Sequence, residues 1–99
     1  MLKIELGLFK GMVLQRNSRN VSEQSFGGSC AGTGSVKATV FTGGRAVAGF
    51  AQRKVGTAGN GSFSGTLRGL PVGGPYDIEL AIAGSQERLV VRNVLVGDV

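Results

Sequence analysis

Apolar and polar residues alternate along most of this chain. Leu2, Ile4, Leu6 and Leu8 take every second position, with Lys3, Glu5 and Gly7 between them. A period of two is the signature of a strand with one buried face. Met12-Val13-Leu14 follows Lys10-Gly11 and predicts a second, shorter strand. Val36, Ala38 and Val40 share one face, with Lys37 and Thr39 on the other, and Phe63 and Leu67 alternate with Ser62, Ser64 and Thr66. Tyr76, Ile78, Leu80 and Ile82 alternate with Asp77, Glu79 and Ala81 in the cleanest strand of all. Leu89-Val90-Val91 and Val94-Leu95-Val96 complete the series. Nowhere do apolar residues recur at i, i+3, i+4 and i+7 over the length of a helix.

The breaks between these runs carry turn chemistry. Gly43-Gly44 turns the chain into a strand at Ala46–Gln52, Gly59-Asn60-Gly61 is a hairpin signal, and Gly84-Ser85 is a further turn. Leu70-Pro71 and Gly73-Gly74-Pro75 bracket a loop. Residues 16–35 are the least regular: Asn17, Ser18, Asn20 and Ser22 suggest a loop, and Ser25-Phe26 opens a strand that Gly27-Gly28 interrupts. The expected fold is all-β, an antiparallel β-sandwich of immunoglobulin-like or jelly-roll-like kind with seven to eight short strands. Strands apolar on one face need a second layer to cover them. An OB-type barrel is the structural alternative.

Composition sharpens this picture. The 18 glycines against 2 prolines show no G-X-Y period, so they belong to turns and not to collagen. The 99 residues make one domain, residues 1–99, with a single core. At 41% hydrophobic and 17% charged the chain is not of disordered composition, and no apolar run reaches the ~20 residues of a membrane-spanning helix. The alternating N-terminus lacks the apolar core of a signal peptide. Cys30 is the only cysteine, which excludes an internal disulfide and reads as a small buried hydrophobe.

Charge is unevenly placed. Residues 1–54 hold eight Lys/Arg against Glu5 and Glu23, a balance of +6, whereas residues 55–99 balance at −1. A basic half suits nucleic acid or an acidic polysaccharide, and equally an ordinary solvated face. Nucleic-acid binding further needs aromatics interleaved with the cations. The aromatics are Phe9, Phe26, Phe41, Phe50, Phe63 and Tyr76, of which Phe63 and Tyr76 fall on apolar phases and Phe41 does not. With no Trp, stacking on sugar rings is also poorly provided for.

Catalytic chemistry is largely missing. The chain has no His, which removes the usual general base, the Ser-His-Asp relay and the commonest metal ligand. Asp77 and Glu79 share one strand face and could act as an acid–base pair or hold a cation, although exposed alternating acids are ordinary on a half-buried strand. Gly28-Ser29-Cys30-Ala31 departs from the G-x-S-x-G elbow at Ala31 and has no helix after it. Gly32-Thr33-Gly34 likewise lacks a following helix to hold a phosphate. Asn20-Val21-Ser22 and Asn60-Gly61-Ser62 fit the short N-x-[ST] glycosylation pattern.

Four segments, in order, resemble the N-terminal region of the sialate O-acetylesterase family, whose catalytic part is SGNH-hydrolase-like. Gly11-Met12-Val13-Leu14-Gln15-Arg16, after Leu8-Phe9, is similar to that family's G-M-V-L-Q-R. Leu70-Pro71-Val72-Gly73-Gly74-Pro75-Tyr76-Asp77-Ile78 is similar to its L-P-x-G-G-P-Y turn into a strand. Val94-Leu95-Val96-Gly97-Asp98-Val99 matches V-L-V-G-D-V, and Gly59-Asn60-Gly61-Ser62-Phe63 falls at its D-G-x-W/F hairpin. Residues 17–34 depart from the pattern, and the family's tryptophans are missing. The resemblance implies a non-catalytic N-terminal β-sandwich supporting a downstream hydrolase domain that begins W-L-x-S-G-Q-S-N-M. It assigns no catalytic, cofactor or metal residue to 1–99 and implies an extracytoplasmic setting. The expected partner is that downstream domain, with an apolar patch near the C-terminal end to receive it. Two other readings stand beside it: a free-standing sandwich whose basic face holds an acidic glycan, and an OB-type nucleic-acid binder, which requires Phe41 and Phe50 not both to be buried. No membrane partner is expected.

Overall fold

The hairpin at Asn60-Gly61 sets the pattern for the whole molecule. Both residues have positive φ, 55° and 83°, the pair of left-handed conformations that lets a two-residue turn match the twist of its strands. Gly59 and Ser62 pair across it. The structure is a computed structural model and describes residues 2–8, 10–15 and 21–97. Nine strands follow one another: β1 (Lys3–Leu6), β2 (Val13–Gln15), β3 (Val21–Ser29), β4 (Gly34–Thr42), β5 (Arg45–Ala46), β6 (Arg53–Gly59), β7 (Ser62–Pro71), β8 (Gly73–Ile82) and β9 (Arg88–Gly97). Among the described residues there is no helix.

The strands form one sheet in the order β1-β3-β7-β6-β4-β8-β9-β2, with β5 attached to β4. It curls strongly into a half-barrel that wraps its own apolar face. β1 and β2 are consecutive in the chain yet lie at opposite ends of this order, and the curl brings β2 against β3. All pairings are antiparallel except β2 with β9, which is parallel.

One apolar core fills the curl. β4 contributes Val36, Ala38 and Val40, and β8 contributes Tyr76, Ile78, Leu80 and Ile82, all buried as their alternation predicts. Phe26 of β3 and Phe63 of β7 meet with ring centroids 6.3 Å apart at 53°, a tilted contact that aromatic quadrupoles favour. Phe26 pairs with Gly65, and Gly65 pairs with Gly56 on the next strand. A Cβ on Gly65 would fall 2.9 Å from the tip of the Phe26 ring. Gly65 therefore vacates the space that the ring occupies, and Gly56 lets the β7 backbone approach β6 closely.

Several expectations need correction. β3 runs unbroken through Gly27-Gly28, because nine consecutive pairings with β7 hold it and the missing side chain at Gly28 admits the β1 backbone at Lys3. Ser22 thus belongs to a strand, and the loop read at residues 17–20 lies outside the described residues. The strand expected at Ala46–Gln52 is only β5. Beyond it a loop returns Phe50 to the core, where its carbonyl accepts from the Val40 amide at 2.9 Å. The loop expected between Leu70 and Pro75 reduces to Val72, and the Tyr76 hydroxyl donates to the Pro71 carbonyl at 2.9 Å across it. The last two apolar runs are one strand, β9, whose register shifts where Asn93 takes φ 60°. Leu6 is 58% exposed because β1 shifts register between Ile4 and Leu6.

Candidate functional site

Because Ile78 and Leu80 point inward, Asp77, Glu79 and Ala81 must point outward, and their neighbours on β4 and β9 do the same. The outer face of β4, β8 and β9 is therefore a grid. Phe41 stands opposite Asp77, Thr39 opposite Glu79 and Lys37 opposite Ala81, while on the other side of β8 Val90 stands opposite Glu79 and Arg88 opposite Ala81. An open groove of about 460 Å³ lies over one end, lined by Phe41, Pro75, Asp77, Val90 and Arg92.

The two acids do not act together. Asp77 Oδ2 meets the Arg92 guanidinium at 3.3 Å, while its Oδ1 accepts from the Asn93 amide. Glu79 meets Arg88 at 4.0 Å. Each carboxylate thus has its own cation across the β8–β9 ladder, the ordinary use of opposite charges facing each other on a sheet. Among the described residues no three His, Cys, Asp or Glu side chains cluster as metal ligands.

The Gly28–Gly34 stretch is tied down in a different way. Cys30 is buried, and its amide donates to the Gly61 carbonyl at 3.1 Å. Ser29 closes β3 and Gly34 opens β4, so neither the elbow nor the glycine-rich turn leads into a helix. The amides of Ala31 and Gly32 point at one spot, the geometry of an anion-binding nest. Glu87 occupies it: both carboxylate oxygens accept from the Ala31 amide, at 3.1 and 3.2 Å, and Oε1 also accepts from Gly32 and from the Ser85 hydroxyl. The Ala31 hydrogen bond, above all, holds this carboxyl below its ordinary value of 4.5. A depressed pKa stabilises the fold at pH above the ordinary value, and that contribution disappears as the pH falls through the lower, folded value. Glu87→Gln is therefore expected to lower the melting temperature at neutral pH. The gap to wild type should narrow as the pH is taken from about 7 to about 2.5. A gap that stayed constant across that range would mean the carboxylate's charge contributes nothing.

Aromatic platforms are scarce. Phe26, Phe50, Phe63 and Tyr76 are buried, and burial raises the pKa of the Tyr76 hydroxyl. Phe9 lies outside the described residues. Phe41 is half-buried, so the condition set for an OB-type binder is met by one ring alone, and that ring stands opposite an acid. Phe50 is covered by the Arg53 guanidinium, 5.1 Å above the ring centre. Among the described residues, no fully exposed ring stands beside the basic ones for base stacking.

Three of the motif segments, far apart in sequence, meet at one corner. Val13, Leu14 and Gln15 pair with Leu95, Val96 and Gly97, and Gly73 and Tyr76 pair with Val96 and Val94. The Gly11 amide donates to the Arg92 carbonyl and the Leu95 amide to the Met12 carbonyl, both at 3.0 Å. Arg16, Asp98 and Val99 lie outside the described residues. Val94 and Val96 are buried in the chain's own core, but Leu95 and Val13, partners in register, are 41% and 39% exposed on the outer side, with Val72 exposed nearby. No sequence signal marks this meeting of segments, because parallel pairing leaves no trace in the alternation of either strand.

No family model matches the chain, and no curated protein matches it. Among the described residues no helix is long and apolar enough to cross a membrane.

Proposed function

We propose that this chain is the non-catalytic N-terminal accessory domain of a carbohydrate O-acetylesterase of the sialate type, supporting a hydrolase domain that follows it. The observation that carries the reading is the convergence of the G-M-V-L-Q, G-G-P-Y and V-L-V-G segments on the β2–β9–β8 corner. Segments that resemble one family and also build one continuous surface are better explained by a shared structural duty than by three separate coincidences. On that corner Val13 and Leu95 form an exposed apolar pair near the end of β9. Contacts between domains of one chain bury about 600–1,500 Å² and are more polar than obligate interfaces, so a modest apolar pair within a mixed surface suits such a contact.

The nucleophile, the oxyanion donors and the catalytic histidine belong in this reading to the following domain, and residues 1–99 act on it mechanically. The test is the coding DNA downstream of Val99. Continuation into W-L-x-S-G-Q-S-N-M and a region of hydrolase length is the expected result. A stop codon directly after Val99, or an unrelated downstream region, overturns the proposal.

A further inference from the structure

Lys37 and Lys54 stand directly opposite each other on β4 and β6, on the outer face of the sheet. Like charges in that position destabilise an antiparallel pair. The arrangement depends on a β-bulge. Val36 pairs with Gly56 and Lys37 with Lys54, so Val55 is skipped and packs against the core. Without the bulge Val55 would face Lys37 and the two ammonium groups would be staggered. Bulges gather where a side chain has to be re-aimed, and here the re-aimed group is a second cation beside a half-buried first one.

The same row continues across the sheet. Lys37 is opposite Ala81, and Ala81 is opposite Arg88. At about 4.8 Å between neighbouring strands, the row sets cations at intervals of about 5 and about 10 Å. Arg68 extends the belt on β7, while Arg53, in register with the buried Ala38, lies over Phe50 and donates to the Arg68 carbonyl at 3.2 Å. The acids against it are Glu79, paired with Arg88, and Glu23, 3.1 Å from Arg68. Neither is committed to the two lysines.

Two shallow grooves, each about 300 Å³, flank the lysine pair: one is lined by Lys37, Thr39, Gln52, Arg88 and the Glu79 carboxylate that pairs with Arg88, the other by Arg53, Lys54, Thr66 and Arg68. Gln52 is one of three non-glycine residues at positive φ among those described, 53°, held there by its amide donating to the Thr39 hydroxyl at 3.0 Å. A residue kept in an uncommon backbone region at the rim of a groove is the kind of local strain that gathers at ligand sites.

We propose that this outer face of β9, β8, β4, β6 and β7 binds an anionic polysaccharide laid across the strands. Lys37 and Lys54 carry the charge recognition, with Thr39, Gln52 and Thr66 offered to sugar hydroxyls. An extended chain of charged pyranoses presents anions at repeated short intervals, which the row matches. It also needs no stacking rings, and among the described residues the one ring on this face is the half-buried Phe41. This face is separate from the β2–β9–β8 corner, and the proposal stands independently of any downstream domain.

Isothermal titration of the chain with oligogalacturonate tests it, with dextran and single-stranded DNA of matched length as comparisons. Binding of oligogalacturonate is expected to weaken steeply between about 50 mM and about 200 mM NaCl. Dextran is expected not to bind. Lys37→Glu is expected to weaken binding at least about tenfold. The same change replaces a repulsive pair by an attractive one with Lys54 and should raise the melting temperature by about 3 °C. Loss of binding with a gain in stability separates a ligand contact from damage to the fold. Lys3→Glu on β1, an equal change of net charge away from the belt, should alter affinity less than about twofold. Equal loss in Lys37→Glu and Lys3→Glu, no binding of oligogalacturonate at low salt, or tighter binding of the DNA would each overturn the proposal.

Discussion

Phe26→Ala is expected to destabilise the domain by about 4 kcal/mol, the largest effect of any single truncation in the core. The ring is 2% exposed and lies over Gly65, with Phe63 tilted against it. Removing a buried aromatic forfeits its transfer free energy and leaves a void, and the cost depends on how far the surroundings collapse. Here the wall opposite is glycine backbone already locked in a ladder, with no side chain available to swing into the space. A domain of this size holds roughly 5–15 kcal/mol in total, so the variant should sit near its unfolding midpoint in low urea. Phe26→Leu retains much of the volume and should cost about 1–2 kcal/mol. The check is urea denaturation followed by far-ultraviolet circular dichroism. A loss below about 1 kcal/mol for the alanine variant would show that β6 and β7 can close over the hole.

Gly56→Ala should cost about 3 kcal/mol, although alanine normally improves on glycine within a strand by about 0.5–1 kcal/mol. The sign reverses because of what lies beside the position. A Cβ there would strike the Ser64 carbonyl oxygen and approach Gly65 Cα to 2.5 Å, and both are backbone atoms fixed by pairing. Gly59 provides the contrast: its Cβ would meet nothing nearer than Thr33 Cγ2 at 3.8 Å. Gly59→Ala should be neutral or gain up to about 0.5 kcal/mol. Thermal melts of the two variants decide the matter, and equal melting temperatures would remove the close-approach argument.

The sequence makes the strands legible where one face is buried and the other wet, as at Val36–Val40 and Tyr76–Ile82. It is misleading at Gly27-Gly28, where glycine signals a neighbouring backbone and not a turn, a distinction that only the β1 pairing reveals. The bend at Val72 and the bulge at Asn93 are too short to show in a period-two pattern, so one strand reads as two and one tight turn reads as a loop. The candidate surfaces are harder still. Asp77 and Glu79 are visible as a pair, but their partners Arg92 and Arg88 are assigned by the β8–β9 register. Lys37 and Lys54 are seventeen positions apart, and what sets them face to face is one skipped residue at Val55. The excess of cations is plain in the first half of the chain; its arrangement is not, because register between strands lies outside the information in either strand alone.

The parallel pairing of β2 with β9 has a bearing on how the chain is made. Leu14 finds its partner in Val96, which a ribosome adding roughly 5–20 residues per second delivers several seconds later. The hairpins β6–β7 and β8–β9 have their partners close at hand and can form as they emerge. β1 can pair early with β3, but β2 must wait, and throughout that interval Leu14 lacks the strand beside which it is buried. Unpaired strands of this kind invite pairing with other chains. β2 is thus the stretch most open to mispairing until β9 emerges, and slower translation of β8 and β9 would lengthen its exposure.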